Sequence, residues 1–184
     1  ENWSTVKGDL LGNLFSGSGL IWYGGVIGGA LGAVIWAWRR GWLSWGLADL
    51  ACIPLALGYA IGRCGCQLSG DGDYGKPSDL PWAMAYPKGT VPTKIEVHPT
   101  PIYETLTMGI VALVLWSLRD RFGSGRLFAL YLILAGIERL LVEFVRRNHH
   151  VLAGLTLPQL FSIAMIAGGL ALTARMRQRP MQPA

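Results

Sequence analysis

Five apolar stretches dominate this 184-residue chain: Leu20–Trp38, Trp42–Ile61, Pro101–Leu118, Leu127–Val145 and Leu155–Ala174. Each runs close to the roughly 20 residues that an α-helix needs to cross a hydrocarbon core about 30 Å thick. A soluble bundle would alternate charged and apolar residues along such stretches. Here hydrophobic residues make up 52% of the chain and charged ones 15%, and the stretches do not alternate. The pattern predicts an all-α, polytopic membrane protein with five transmembrane helices in a single membrane domain, residues 1–184. Residues 1–19 form an extracytoplasmic lead and residues 20–61 hold two spans. Residues 62–100 form an irregular extracytoplasmic loop, residues 101–174 hold three spans, and residues 175–184 form a cytoplasmic tail.

Basic residues near the ends of the spans set the orientation. Arg39 and Arg40 close the first span, Arg119, Arg121 and Arg126 fill a short connection, and Arg175, Arg177 and Arg179 follow the last span. All eight fall on one side, assigned to the cytoplasm, so the N-terminus lies outside and the C-terminus inside. The net charge of +5 is largely accounted for by these arginines and calls for no nucleic acid.

Arg63, Arg139, Arg146 and Arg147 sit on the other side. Arg139 lies six residues before the outer end of its span, about 9 Å below the boundary at 1.5 Å per residue. An arginine in a membrane helix costs on the order of 2.5–3.5 kcal/mol by insertion scales, and such residues usually pair or serve a pathway. In "GIERLLVEFVRR", Arg139, Glu143 and Arg146 follow at i, i+4 and i+7 of one helical face. Two readings stay open. One is a structural ion pair between helices. The other is an anion site in the outer leaflet, where guanidinium groups from two spans, Arg63 and Arg139, meet a phospholipid phosphate through charge-assisted hydrogen bonds.

The remaining polar residues cluster on that same side. Small residues at four-residue spacing in "WYGGVIGGALG" let helix backbones approach in lipid, and Tyr23 before them is either an interfacial belt residue or part of a site. In "GRCGCQLSGDGDYG", Gly62, Gly65, Gly70, Gly72 and Gly75 permit tight turns and close backbone approach. Cys64 and Cys66 lack the spacing of a zinc or redox pair. Asp71 and Asp73 lack the partners of a calcium loop, so no metal and no cofactor is expected. Trp82 and Tyr86 fall where an outer-interface segment would lie. His98, just outside the third span, is either a solvated loop residue or a base, and Glu104 lies just inside. Asp49 binds a neighbouring arginine or pins a helix.

Taken in order, "SGLIWYGGVIGG", "GRCGCQLSGDGDYG", "HPTPIYE" and "GIERLLVEFVRR" resemble the prolipoprotein diacylglyceryl transferase family over essentially the whole chain. The family has seven spans, so the resemblance implies a chain without the first two, and an initial Glu1 rather than methionine fits that expectation. It also implies transfer of a diacylglyceryl group from phosphatidylglycerol to the lipobox cysteine of prolipoprotein signal peptides in the bacterial cytoplasmic (inner) membrane. A thioether forms and glycerol phosphate is released. Arg63 matches the family's signature arginine, Arg139 its second essential arginine, and Tyr23 the position ahead of Gly-Gly. With His98 these are the catalytic candidates, Tyr23 or His98 taking the thiol proton. Gly62, Gly65, Cys66, Asp71, Gly75, Tyr103, Glu104, Glu143 and Arg146 are the candidates for substrate binding, with Glu143 holding Arg139. Cys66 stands where asparagine is usual, Asp71 where glutamate is usual, and Val97 precedes His98 where the family carries arginine. The rival reading is a non-catalytic phospholipid-binding protein or lipid carrier in contact with membrane lipids.

Overall fold

The computed structural model describes residues 22–122, 124–148, 150–152 and 154–177. The chain divides into two units between Ser44 and Trp45. In the first, helix α1 spans Trp22–Arg39. Gly41, at φ 70°, ends it: the Trp42 amide donates to the Ala37 carbonyl at 2.9 Å and the Gly41 amide to Trp38 at 3.0 Å. This is the paired hydrogen bonding of a glycine-terminated helix, which satisfies otherwise orphaned carbonyls. Trp36 and Trp42 pack edge to face with the Arg40 guanidinium over Trp36, a cluster suited to a membrane–water boundary.

The second unit contains α2 (Trp45–Ser69), strands β1 (Met84–Tyr86) and β2 (Thr93–Val97), α3 (Thr100–Leu118), α4 (Arg126–Glu143), strands β3 (His150–Leu152) and β4 (Leu155–Thr156), and α5 (Leu157–Arg177). On α2 the buried residues are Cys52, Ala56 and Ala60, four apart and small. They pack with Met108, Val111, Ala112 and Leu115 of α3 and with Leu127 and Ala135 of α4. The large side chains face the other way: Leu50, Leu57, Ile61, Leu106, Ile110 and Leu113 are all exposed. Small residues inside and large apolar ones outside is the arrangement lipid favours, because packing rather than water exclusion draws membrane helices together. Helices α4 and α5 meet through two glycines. A methyl group on Gly136 would fall 2.9 Å from the Ser162 carbonyl oxygen, and one on Gly169 2.8 Å from that of Ala129.

At one end of this unit Asp49, from α2, pins α4. Its carboxylate accepts the Gly125 amide at 2.5 Å and the Phe128 amide at 2.7 Å. It thereby meets orphan donors at the start of α4 and sets a negative charge against the positive end of the helix dipole. Of the two roles open to Asp49, the structure gives it the helix pin. At the other end the polar segments gather.

Among the described residues three helices are long and apolar enough to cross a membrane, α2, α3 and α5 through Met176; three expectations are corrected below. Helix α1 has 18 residues and closes on Arg39, and α4 carries Arg126, Glu138, Arg139 and Glu143 within 18 residues. The loop expected from residue 62 begins later, since α2 runs on to Ser69. Two helical glycines cost about 1 kcal/mol each relative to alanine, but the extra turns keep Arg63 on one face with Tyr59, whose ring its guanidinium covers at 5.0 Å. The fold is not purely helical, because β1 pairs antiparallel with β2 and β3 with β4. Finally, α4 stops at Glu143, so Arg146 does not continue the face of Arg139 but turns away on the following bend.

Candidate functional site

The polar end is built on a ring of four charged side chains. Glu104, in the first turns of α3, is fully buried. It takes Arg63 Nε on one oxygen at 2.6 Å and Arg146 Nη1 on the other at 2.8 Å. Asp73 closes the ring from the loop after α2, pairing through one oxygen with Arg63 Nη1 and through the other with Arg146 Nη2. Tyr59 supports it from α2: its hydroxyl donates to Glu104 and accepts from Arg63 Nη2 at 3.0 Å. Two guanidinium groups thus share two carboxylates, each bridged at both oxygens, in the geometry that arginine's planar fork favours. Burial works against ionisation of Asp73, but Arg146 and Arg63 outweigh it and hold the carboxyl below its ordinary range.

The loop bearing Asp73 is fixed by backbone contacts that only glycine permits. Gly70 and Gly72 adopt φ values of 56° and 94°, and a methyl on Gly70 would fall 2.8 Å from the Gly89 Cα in the β1–β2 turn. That turn satisfies the end of α2, the Thr90 amide donating to Ser69 and the Val91 amide to Gly70. Tyr74 stacks on Tyr86, forming a small core with Val97. Tyr86, expected at the lipid interface, is therefore buried, whereas Trp82 is exposed.

A second cluster surrounds Arg139. Its Nη2 pairs with Glu143 at 2.9 Å, and Glu143 also accepts from Asn148 at 2.8 Å and from the Thr156 hydroxyl at 2.5 Å. Its Nη1 is buried with no hydrogen-bond partner among the described residues. Next to it on α4, the buried Glu138 lies 3.3 Å from the Thr107 hydroxyl of α3, one turn beyond Glu104. Beside the ring, His98 Nδ1 meets the Tyr103 hydroxyl at 3.3 Å, and that hydroxyl accepts from Trp82 Nε1 at 2.7 Å.

The structure thus brings Arg63, Glu104 and Arg146 together, and sets Arg139 and Glu143 as a separate pair. Sequence reasoning joined Arg63 to Arg139; the residue that shares carboxylates with Arg63 is Arg146. Asp71 is exposed and accepts the Asp73 amide at 3.2 Å, while Asp73, two residues on, enters the ring. The Cys66 sulfur lies 3.8 Å from Arg63 Nη1. It lies within 4.8 Å of ligand atoms of Asp71 and Asp73, but both Asp73 oxygens are engaged by arginines. Gly62 and Gly65 lie within α2 with open space where a side chain would be. Gly75 is a point of close approach, its amide donating to the His98 carbonyl at 2.8 Å. Tyr23 falls in the first turn of α1, and its side chain lies outside the described residues. Sequence reasoning missed Tyr59 and the role of Asp73. The i, i+4 spacing of Tyr59 and Arg63 signals the first only if α2 is taken past residue 61.

Apolar helices with a buried arginine–carboxylate ring at one end of the second unit are the features of a polytopic membrane protein with a charged polar end. Comparison with known proteins makes this specific. The family model described as prolipoprotein diacylglyceryl transferase matches residues 10–175. A phosphatidylglycerol–prolipoprotein diacylglyceryl transferase of Clostridium tetani is 37% identical over 71% of this chain and 53% of its own length. Those of Bordetella avium and Methylocella silvestris are 34% and 33% identical over 88% and 90% of this chain, and 63% and 62% of theirs. No solved structure matches. The chain belongs to the prolipoprotein diacylglyceryl transferase family and spans less than two thirds of the length of these relatives.

Proposed function

We propose that this chain transfers the diacylglyceryl group of phosphatidylglycerol to the lipobox cysteine of a prolipoprotein signal peptide. It does so in the bacterial cytoplasmic membrane, with all five helices crossing, the N-terminus outside and the C-terminus in the cytoplasm. The acceptor sulfur attacks the glycerol carbon. A carbon–sulfur bond forms, the carbon–oxygen bond to phosphate breaks, the thiol proton passes to a base, and glycerol phosphate leaves. Cysteine thiols are mostly protonated at neutral pH, so a positioned base adds about 10²–10⁴-fold. Tyr23 and His98 are the candidates. For His98 to take the proton at Nε2, its Nδ1 must carry the ring hydrogen and donate it to the Tyr103 hydroxyl.

The observation that carries this reading is the buried Nη1 of Arg139, which has no hydrogen-bond partner among the described residues. Leaving a buried donor unsatisfied costs about 1–3 kcal/mol, more when it is charged, and such a donor suits a site completed by an anion. Glu143 fixes the guanidinium from the other side, so its free edge is preorganised for a phosphate on which charge grows as the bond breaks. Arg63 and Arg146 lie at the same end of the unit, their charges matched in the empty site by Glu104 and Asp73.

The test is transfer of labelled diacylglycerol to a lipobox peptide in proteoliposomes, with glycerol phosphate measured in parallel. Arg139→Ala and Arg63→Ala are each expected to lower turnover about 10²–10³-fold. Full activity in either variant rejects its role. Phosphatidylglycerol binding without glycerol phosphate release selects the lipid-carrier reading instead.

A further inference from the structure

The ring of Arg63, Asp73, Arg146 and Glu104 carries no net charge, and its two carboxylates are not equivalent. Glu104 has a side chain with no exposed surface, stands on a helix, and takes the Tyr59 hydroxyl as well as both arginines. Asp73 has a side chain 33% exposed and stands in a loop just after two glycines at positive φ. Its main chain is fixed, since the carbonyl accepts the Thr100 hydroxyl and the amide donates to Asp71. Rotation about its side-chain bonds alone therefore lifts the carboxylate off both guanidinium groups while the loop stays in place. Glu104 is the floor of the ring and Asp73 its open side.

A carboxylate and a phosphodiester offer an arginine pair the same thing: one negative charge spread over two oxygens, each able to accept a charge-assisted hydrogen bond. With Asp73 in place a phosphate meets a neutral ring. With Asp73 rotated out it meets two guanidinium groups and one buried carboxylate, a net positive charge that it neutralises. We propose that the Asp73 carboxylate is a built-in stand-in for the lipid phosphodiester. It holds Arg63 and Arg146 in register in the empty site, and the phosphate must displace it to bind. This deepens the reading of the polar end as a phosphate-binding site and rests on it. Asp73 is then a residue that sets affinity for the headgroup by competing with it. Every productive encounter exchanges one anion for another, so the arginines are never left buried without a counter-charge, a state that is costly.

Competition makes an expectation opposite to that of a simple scaffold. The full chain, purified in a neutral detergent, is titrated with short-chain phosphatidylglycerol and, separately, with inorganic phosphate, and binding is followed by calorimetry. Asp73→Asn keeps the shape and removes the competing charge. It is expected to bind the lipid about tenfold or more tightly than the wild type, the scale of one charge-assisted hydrogen bond, while Asp73→Glu binds no more tightly. Tightening toward the lipid alone places the exchange at a lipid headgroup, and tightening toward both probes places it at any phosphate. Equal or weaker lipid binding by Asp73→Asn overturns the proposal and makes Asp73 a scaffold for the arginines. Asp73→Ser repeats the test if the asparagine variant does not fold, and failure of both variants to fold equally overturns it. The readout is binding, so a wild type that binds but does not turn over refutes the enzymatic reading and leaves this one standing. A wild type and variants that bind neither probe end both.

Discussion

At the residue scale the ring makes two expectations that separate its carboxylates. Glu104→Ala leaves Arg63 and Arg146 buried with one counter-charge between them. Removing one member of a buried ion pair typically costs about 3–5 kcal/mol, so a large fall in the thermal unfolding midpoint in detergent is expected. A midpoint within a degree or two of the wild type contradicts the pairing. Asp73 is read through pH. Its folded-state carboxyl lies below the ordinary value of 3.8, so its contribution to stability is fully present above that value. The contribution is lost as the pH falls through the depressed folded value, because protonation releases both arginines. The difference in midpoint between wild type and Asp73→Asn is expected to hold steady above the ordinary carboxylate range and to shrink in stronger acid. A difference that grows on acidification contradicts the sign. Arg63, Glu104 and Arg146 were legible as candidates because charged residues in or beside apolar spans are conspicuous. Their partnership was not, since it depends on α4 ending at Glu143 and on a loop aspartate brought across 73 positions of sequence to Arg146.

At the element scale the apolar runs locate each long helix of the described residues to within several residues, and the polar segments are the places where they fail. Helix α2 outlasts its apolar run and its last turn is met by the β1–β2 turn, the Thr90 amide donating to the Ser69 carbonyl at 2.8 Å, a tertiary contact that hydropathy does not register. The hairpin Met84–Val97 lies in the stretch 62–100 expected to be irregular, and its prolines, Pro87 and Pro92, fall in the turn rather than in the strands. Asp49 shows the same limit from the other side. A charge in an apolar span announces a partner, but only the fold identifies it as the start of α4. Asp49→Ala is expected to cost about 0.5–2 kcal/mol, the range for losing a helix cap, measured by unfolding in mixed detergent. Gly169→Ala drives a methyl to 2.7 Å from the Ile133 side chain and is expected to cost about 1–3 kcal/mol, the usual penalty for overpacking. If it is neutral, α4 and α5 do not approach this closely.

At the scale of the whole molecule, the proposed orientation places the hairpin outside and the α3–α4 connection in the cytoplasm. In a chain whose three cysteines are replaced by serine, Lys88→Cys is expected to react with a membrane-impermeant maleimide on intact spheroplasts. Arg121→Cys is expected to react only after permeabilisation, and the reverse pattern inverts the topology. One contact described above also ties the polar segments of the second unit together. Gly75 lies where the loop after α2 runs between the start of α3 and the chain beyond α4. A methyl group there would stand 2.5 Å from the Val145 carbonyl oxygen and 2.9 Å from His98 Cβ, and the neighbouring Lys76 amide donates to that same carbonyl. The span between Asp73 and Arg146 is therefore gauged by the thickness of bare backbone. Widening the chain by a single carbon at position 75 would wedge the two strands of this joint apart, and the salt bridge they carry would be pulled open with no charge altered.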